Sequence, residues 1–130
     1  MWSRSHRNNK KQHKNCIILA NGPSLKNSIE AILKIKSNYD LMCVNHFAET
    51  EAYFILKPNH YILNAPEMWM DEVEPQFIEK GEKLFNAIQE NTQWEVNLFI
   101  TVSANTYVRW KNILKKNPAI KILFFNTTPI

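Results

Sequence analysis

From Asn15 onward, short apolar runs alternate with amphipathic stretches, the pattern of parallel strands joined by crossover helices. Residues 16–20 are wholly apolar, which suits a strand covered on both faces. Asn21-Gly22-Pro23 breaks this run, and Ser24 is placed to cap a helix over residues 25–36 that keeps Leu25, Ile29, Ile32 and the Lys36 stem on one side. Residues 40–45 form a second strand. A short helix over 49–56 closes before Pro58, because the residue ahead of a proline resists helical geometry. Residues 60–64 form a third strand.

The longest predicted helix covers 73–90, with Val73, Phe77, Leu84 and Ile88 at helical intervals and most of its acids outward. Residues 95–101 make a fourth strand. A helix over 104–116 turns Tyr107, Val108 and Leu114 to the sheet, and residues 119–125 make a fifth strand. The expected fold is α/β, a Rossmann-like three-layer arrangement of about five mainly parallel strands with flanking helices. A buried parallel strand usually feeds a covering helix. The fifth strand is therefore expected at the sheet edge, covered in a homo-oligomer, or in a chain that is the truncated front part of a longer domain.

Charge changes the picture only at one end. The chain carries +4, yet residues 1–14 hold five of the sixteen basic residues and no acid, leaving eleven bases against twelve acids. Residues 1–14 therefore read as a basic leader and 15–130 as a nearly neutral α/β domain. The leader is expected to be solvated, with peripheral contact to an anionic membrane as its next use, since polybasic segments are drawn to acidic head groups. Nucleic acid is not an expected partner, because Trp2 alone offers stacking. No run reaches the length of a membrane span or a secretion signal, so the expected location is the cytoplasm. Cys16 and Cys43 are expected inside buried strands as free thiols, and Asn126-Thr127-Thr128 as a chance glycosylation triplet.

Ligands of open parallel sheets bind beyond the carboxyl ends of the strands. There the sequence delivers Asn21, Gly22, Pro23 and Ser24, then Asn45 and His46, then Asn64 and Glu67. These eight are the candidate binding residues. An asparagine amide both donates and accepts without bringing charge, and a helix start offers free N–H groups to phosphate. The same asparagines also commonly end strands by turning on their own backbone. The turn matches neither the dinucleotide fingerprint nor the P-loop. No histidine or cysteine pair has metal-ligand spacing, so neither metal nor cofactor is expected, and no catalytic residue is assigned. His60 and the helix acids read as structural, and Trp69, Trp94, Phe99 and Trp110 as core or near-core.

Ile17-Ile18-Leu19-Ala20-Asn21-Gly22-Pro23-Ser24-Leu25-Lys26, with Asp40-Leu41-Met42-Cys43-Val44-Asn45-His46-Phe47 and Tyr61-Ile62-Leu63-Asn64-Ala65-Pro66, resembles the N-terminal portion of bacterial lipooligosaccharide sialyltransferases. It is similar also to glycosyltransferase-like surface-polysaccharide proteins and to hydroxymethylpterin pyrophosphokinase-like proteins. The resemblance implies a CMP-type sugar nucleotide along Asn21, Gly22 and Ser24, touched by Asn45 and Asn64. It also implies metal-free transfer by a histidine base that belongs to the family's second half, which is expected to lie outside residues 1–130. The expected function is the nucleotide-sugar-binding portion of a glycosyltransferase; the alternatives are a non-catalytic nucleotide-binding module and a pterin pyrophosphokinase-like fragment.

Overall fold

The computed structural model describes residues 15–20 and 22–126. The basic leader, Asn21 and two threonines of the glycosylation triplet lie outside that range. Five strands, β1 (Cys16–Leu19), β2 (Asp40–Val44), β3 (His60–Leu63), β4 (Val96–Thr101) and β5 (Ile120–Phe125), pair in sequence order and all in parallel. Helices α1 (Pro23–Ile35), α2 (Glu51–Leu56), α3 (Pro75–Asn91) and α4 (Arg109–Leu114) flank the sheet. This is the Rossmann-like α/β class expected from the alternation, and β5 is an edge strand.

Strand order dictates where the helices go. Right-handed crossovers that always step the same way land on the same face. α1 packs on α2 and α3 on α4, with the 3-10 turn Asn45–Glu49 touching both α2 and α3. Beneath this layer lie Leu19, Leu41, Cys43, Tyr61, Leu63, Leu98 and Ile100, almost fully buried. Tyr53 of α2 meets Tyr61 edge-on at 5.7 Å, and Trp110 of α4 meets Phe124 at 6.2 Å. On the opposite face Met42, Val44, Ile62, Phe99 and Leu123 are only partly buried and Ile18 is 62% exposed. Among the described residues no helix packs on this face, which is where a third layer would lie.

Several boundaries differ from the periodicity, each for a local reason. Pro23 starts α1 at its first position, where a missing N–H costs nothing, so the cap is Gly22 and Ser24 lies inside the helix. Pro75 does the same for α3, leaving Val73 outside it. The helix expected over 49–56 is a 3-10 turn followed by α2, and that over 104–116 is the 3-10 turn Val102–Thr106 followed by α4. Val108, expected against the sheet, is 61% exposed; Trp110 fills the core instead, its Nε1 donating to the Ala104 carbonyl at 2.9 Å. Cys43 is buried as expected, whereas Cys16 lies exposed at the β1 edge. Asn117 joins layers: its Nδ2 donates to the Gln89 and Thr92 carbonyls at the end of α3, and its Oδ1 accepts from Ala119 N before β5.

Candidate functional site

Gly22, Pro23 and Ser24 follow β1 at the carboxyl edge of the sheet, all exposed. Gly22 has φ −164° and ψ 171°, extended backbone open to any residue, and a Cβ there would meet nothing within 4 Å. No side chain caps α1, and its first turn carries no acid. The positive end of its dipole is therefore uncompensated by local charge.

At the end of β2, Asn45 adopts φ 46°, the left-handed region that asparagine tolerates better than other side-chain-bearing residues. Its Oδ1 accepts from the Asn64 N–H at 3.3 Å, bridging the ends of β2 and β3. The Tyr61 hydroxyl holds the turn from below by donating to the Asn45 carbonyl while accepting from Ala48 N at 2.8 Å. Burial raises the Tyr61 phenol pKa well above its ordinary value, keeping it a neutral donor. Within the described residues the Nδ2 donors of Asn45 and the whole Asn64 amide make no hydrogen bond, and Asn64 is exposed.

His46 follows directly, half exposed, with its Nδ1 2.8 Å from Glu49 Oε2; the other Glu49 oxygen lies 3.8 Å from Lys83 Nζ. When Nδ1 carries the proton toward Glu49, Nε2 is left as an acceptor. His46 and Glu67 share a small cavity of about 150 Å³ with Met68, Phe77, Lys80 and Gly81. Gly81 is required here: a Cβ would stand 2.1 Å from the Met68 carbonyl oxygen, so only glycine lets α3 approach the 3-10 turn Pro66–Met68 that carries Glu67. The structure thus joins Asn45 to Asn64 and His46 to Glu67. Among the described residues no hydrogen bond ties Gly22, Pro23 or Ser24 to either pair.

A larger hollow, about 940 Å³, opens at the opposite, amino ends of the strands. Its floor is a chain of side chains that sequence reading missed. Asp40 Oδ2 meets His60 Nε2 at 3.2 Å, His60 Nδ1 meets Asn97 Nδ2 at 3.3 Å, and Asn59 Nδ2 donates to Asp40 Oδ1 at 3.1 Å. Lys36 and Lys57, also on its wall, donate to the Leu56 and Phe54 carbonyls at the end of α2. Both His60 nitrogens and both Asp40 oxygens are thus engaged within the fold. The signal was in the sequence: Asp40, His60, Asn97 and Lys121 stand at strand starts, in neighbouring registers on one face. We therefore place the candidate site at the carboxyl edge, where unspent amides remain, despite its smaller cavity.

Trp69 is buried, as expected of an aromatic under a loop. Among the described residues no three His, Cys, Asp or Glu side chains come together as metal ligands, and no helix is long and apolar enough to cross a membrane. No family model, curated protein or solved structure matches the chain.

Proposed function

We propose that this chain is the nucleotide-sugar-binding portion of a glycosyltransferase for surface polysaccharide or lipooligosaccharide, taking a CMP-type donor at the carboxyl edge of the sheet. The observation that carries the reading is the Asn45–Asn64 bridge. One amide oxygen is spent holding two strand ends in register, which leaves the Asn45 Nδ2 and the full Asn64 amide available to ribose, base or phosphate oxygens. The uncapped start of α1 follows the neighbouring strand and favours phosphate. Sugar transfer as the chemistry comes from the resemblance of residues 16–66.

The test is calorimetric titration with cytidine, uridine, guanosine and adenosine nucleotides in the absence of magnesium. A cytidine nucleotide binds most tightly. Asn64→Ala weakens it about tenfold, the loss of one to two hydrogen bonds. Urea stability of that variant stays within about 0.5 kcal/mol, because the side chain is exposed. Absence of binding for all four nucleotides overturns the function, and unchanged affinity in both Asn64→Ala and Asn21→Ala overturns the site.

A further inference from the structure

We propose that His60 and Asn97 form a pH-sensitive switch at the amino edge of the sheet. Proton uptake by His60 turns the Asn97 amide end for end and exchanges Lys121 for Glu95 as its outer partner.

The hydrogen bonds of the network run in one direction. Asn59 Oδ1 accepts from Leu41 N at 2.8 Å, which fixes that amide and leaves its Nδ2 to donate to Asp40 Oδ1. Asn97 Nδ2 can only donate, so His60 Nδ1 accepts from it and the ring proton sits on Nε2, toward Asp40 Oδ2. The ring in this arrangement is neutral, and Asp40 accepts at both oxygens, as a carboxylate does. The Asn97 carbonyl oxygen is left on the side away from His60.

A second ring proton goes to Nδ1, where it meets the Asn97 Nδ2 hydrogens, donor against donor. His60 is buried, so water does not relieve the mismatch. Half a turn of the Asn97 amide about χ2 does, because Oδ1 then accepts from Nδ1–H. That torsion is broad and roughly twofold, so the turn needs no backbone movement.

The outer end of Asn97 has a partner for each state. Lys121 is in register with it on β5, about 4.8 Å away, and Glu95 stands two residues earlier on the same face, about 6.6 Å along the strand. Both are exposed and line the hollow beside Asn97, and among the described residues neither forms an ion pair. With its carbonyl oxygen outward Asn97 accepts from the Lys121 ammonium; with Nδ2 outward it donates to the Glu95 carboxylate. The other groups around the ring keep their bonding. Asp40 remains an acceptor, and Lys36 and Lys57 stay on the carbonyls of α2. Cys16, beside Asp40 on β1, has its thiol pushed up by burial and by Asp40, which keeps it neutral, and Tyr39 lines the hollow ahead of β2. The contact that reverses on protonation is therefore the one to Asn97.

Nitrogen and proton spectra of the histidine rings and asparagine amides test this in the full chain, from about pH 8 down to acid unfolding. Above its titration the His60 ring should be the Nε2–H tautomer, with the Asn97 amide hydrogens in cross-relaxation contact with the ring. As the ring titrates, those hydrogens should lose that contact and gain one to the Glu95 side chain, with the same midpoint as the ring nitrogens. A neutral ring that carries its proton on Nδ1 overturns the proposal. So do amide hydrogens that keep their contact to the ring throughout its titration, or a ring that stays neutral until the chain unfolds.

Discussion

Replacing Gly81 by alanine sets two physical effects against each other. In a helix interior alanine is preferred to glycine by about 1 kcal/mol, so propensity alone predicts that Gly81→Ala, seven residues into α3, stabilises the protein. The added Cβ, however, would lie 2.1 Å from the Met68 carbonyl oxygen, with the Met68 carbonyl carbon at 3.0 Å. Both are backbone atoms, so no rotamer change relieves the overlap. α3 and the turn at Pro66–Met68 must separate by about 1 Å, across a contact that includes buried Met68, Trp69, Leu84 and Phe85. Overpacking of this kind costs about 1–3 kcal/mol, and the backbone origin of the clash puts this case at the upper end. The expected net loss is about 2 kcal/mol. With an m-value near 2 kcal/mol/M, the urea midpoint falls by about 1 M. Because Glu67 rides on the displaced turn, the small cavity beside His46 also changes shape. An unchanged or higher midpoint would show that α3 does not approach the turn as described, and would refute the placement of Glu67 beside His46.

Stability should fall at alkaline pH. Burial pushes the Cys43 thiol up from 9.0 and the Tyr53 and Tyr61 phenols up from 10.0, so each raised group stabilises the folded state fully below its unfolded pKa. The unfolded chain releases the thiol proton above pH 9 and the phenol protons above pH 10, and from there each group removes about 1.4 kcal/mol per pH unit until its folded pKa is reached. Burial and Asp40 also raise the Cys16 thiol, so in a Cys16→Ser background Cys43→Ala should shift the onset of this decline from pH 9 toward pH 10 in urea titrations; an unmoved onset contradicts the burial of Cys43. Tyr53→Phe deletes the 2.6 Å bond between the Tyr53 hydroxyl and Thr92 Oγ1 and should cost about 1–2 kcal/mol, because the Thr92 hydroxyl stays buried without that partner. Asn45→Gly keeps the left-handed turn and loses only the bridge to Asn64, so Asn45→Ala should be less stable than Asn45→Gly by about 1 kcal/mol in the same assay. Equal stabilities would mean that the backbone at position 45 is not left-handed.

The elements and their type were legible because apolar periodicity is a local property. Strands two to five, their parallel class and the long helix follow from runs such as Ile120-Lys121-Ile122-Leu123 and from the spacing of Leu84 and Ile88. Helix starts were misplaced where proline, rather than a polar cap, set the first turn, as at Pro23 and Pro75. The candidate asparagines were legible as strand ends, but the bond from Asn64 N to Asn45 Oδ1 was not, since it depends on which strands are neighbours. Strand neighbours are decided by packing between segments far apart in the chain.

The polar chain Asp40, His60 and Asn97 shows the same division. Each residue was visible as a polar start to an apolar run, and only the register of β2, β3 and β4 turned three such starts into one network. The sequence by itself determined an alternating α/β chain with amide-bearing strand ends. Tertiary structure alone decided that the strands line up in sequence order. That order sends the helices to one side, because crossovers of one hand stepping in one direction cannot reach the other. Among the described residues it leaves the other face without a helix, the face on which the strand pattern places Asp40, His60, Asn97 and Lys121.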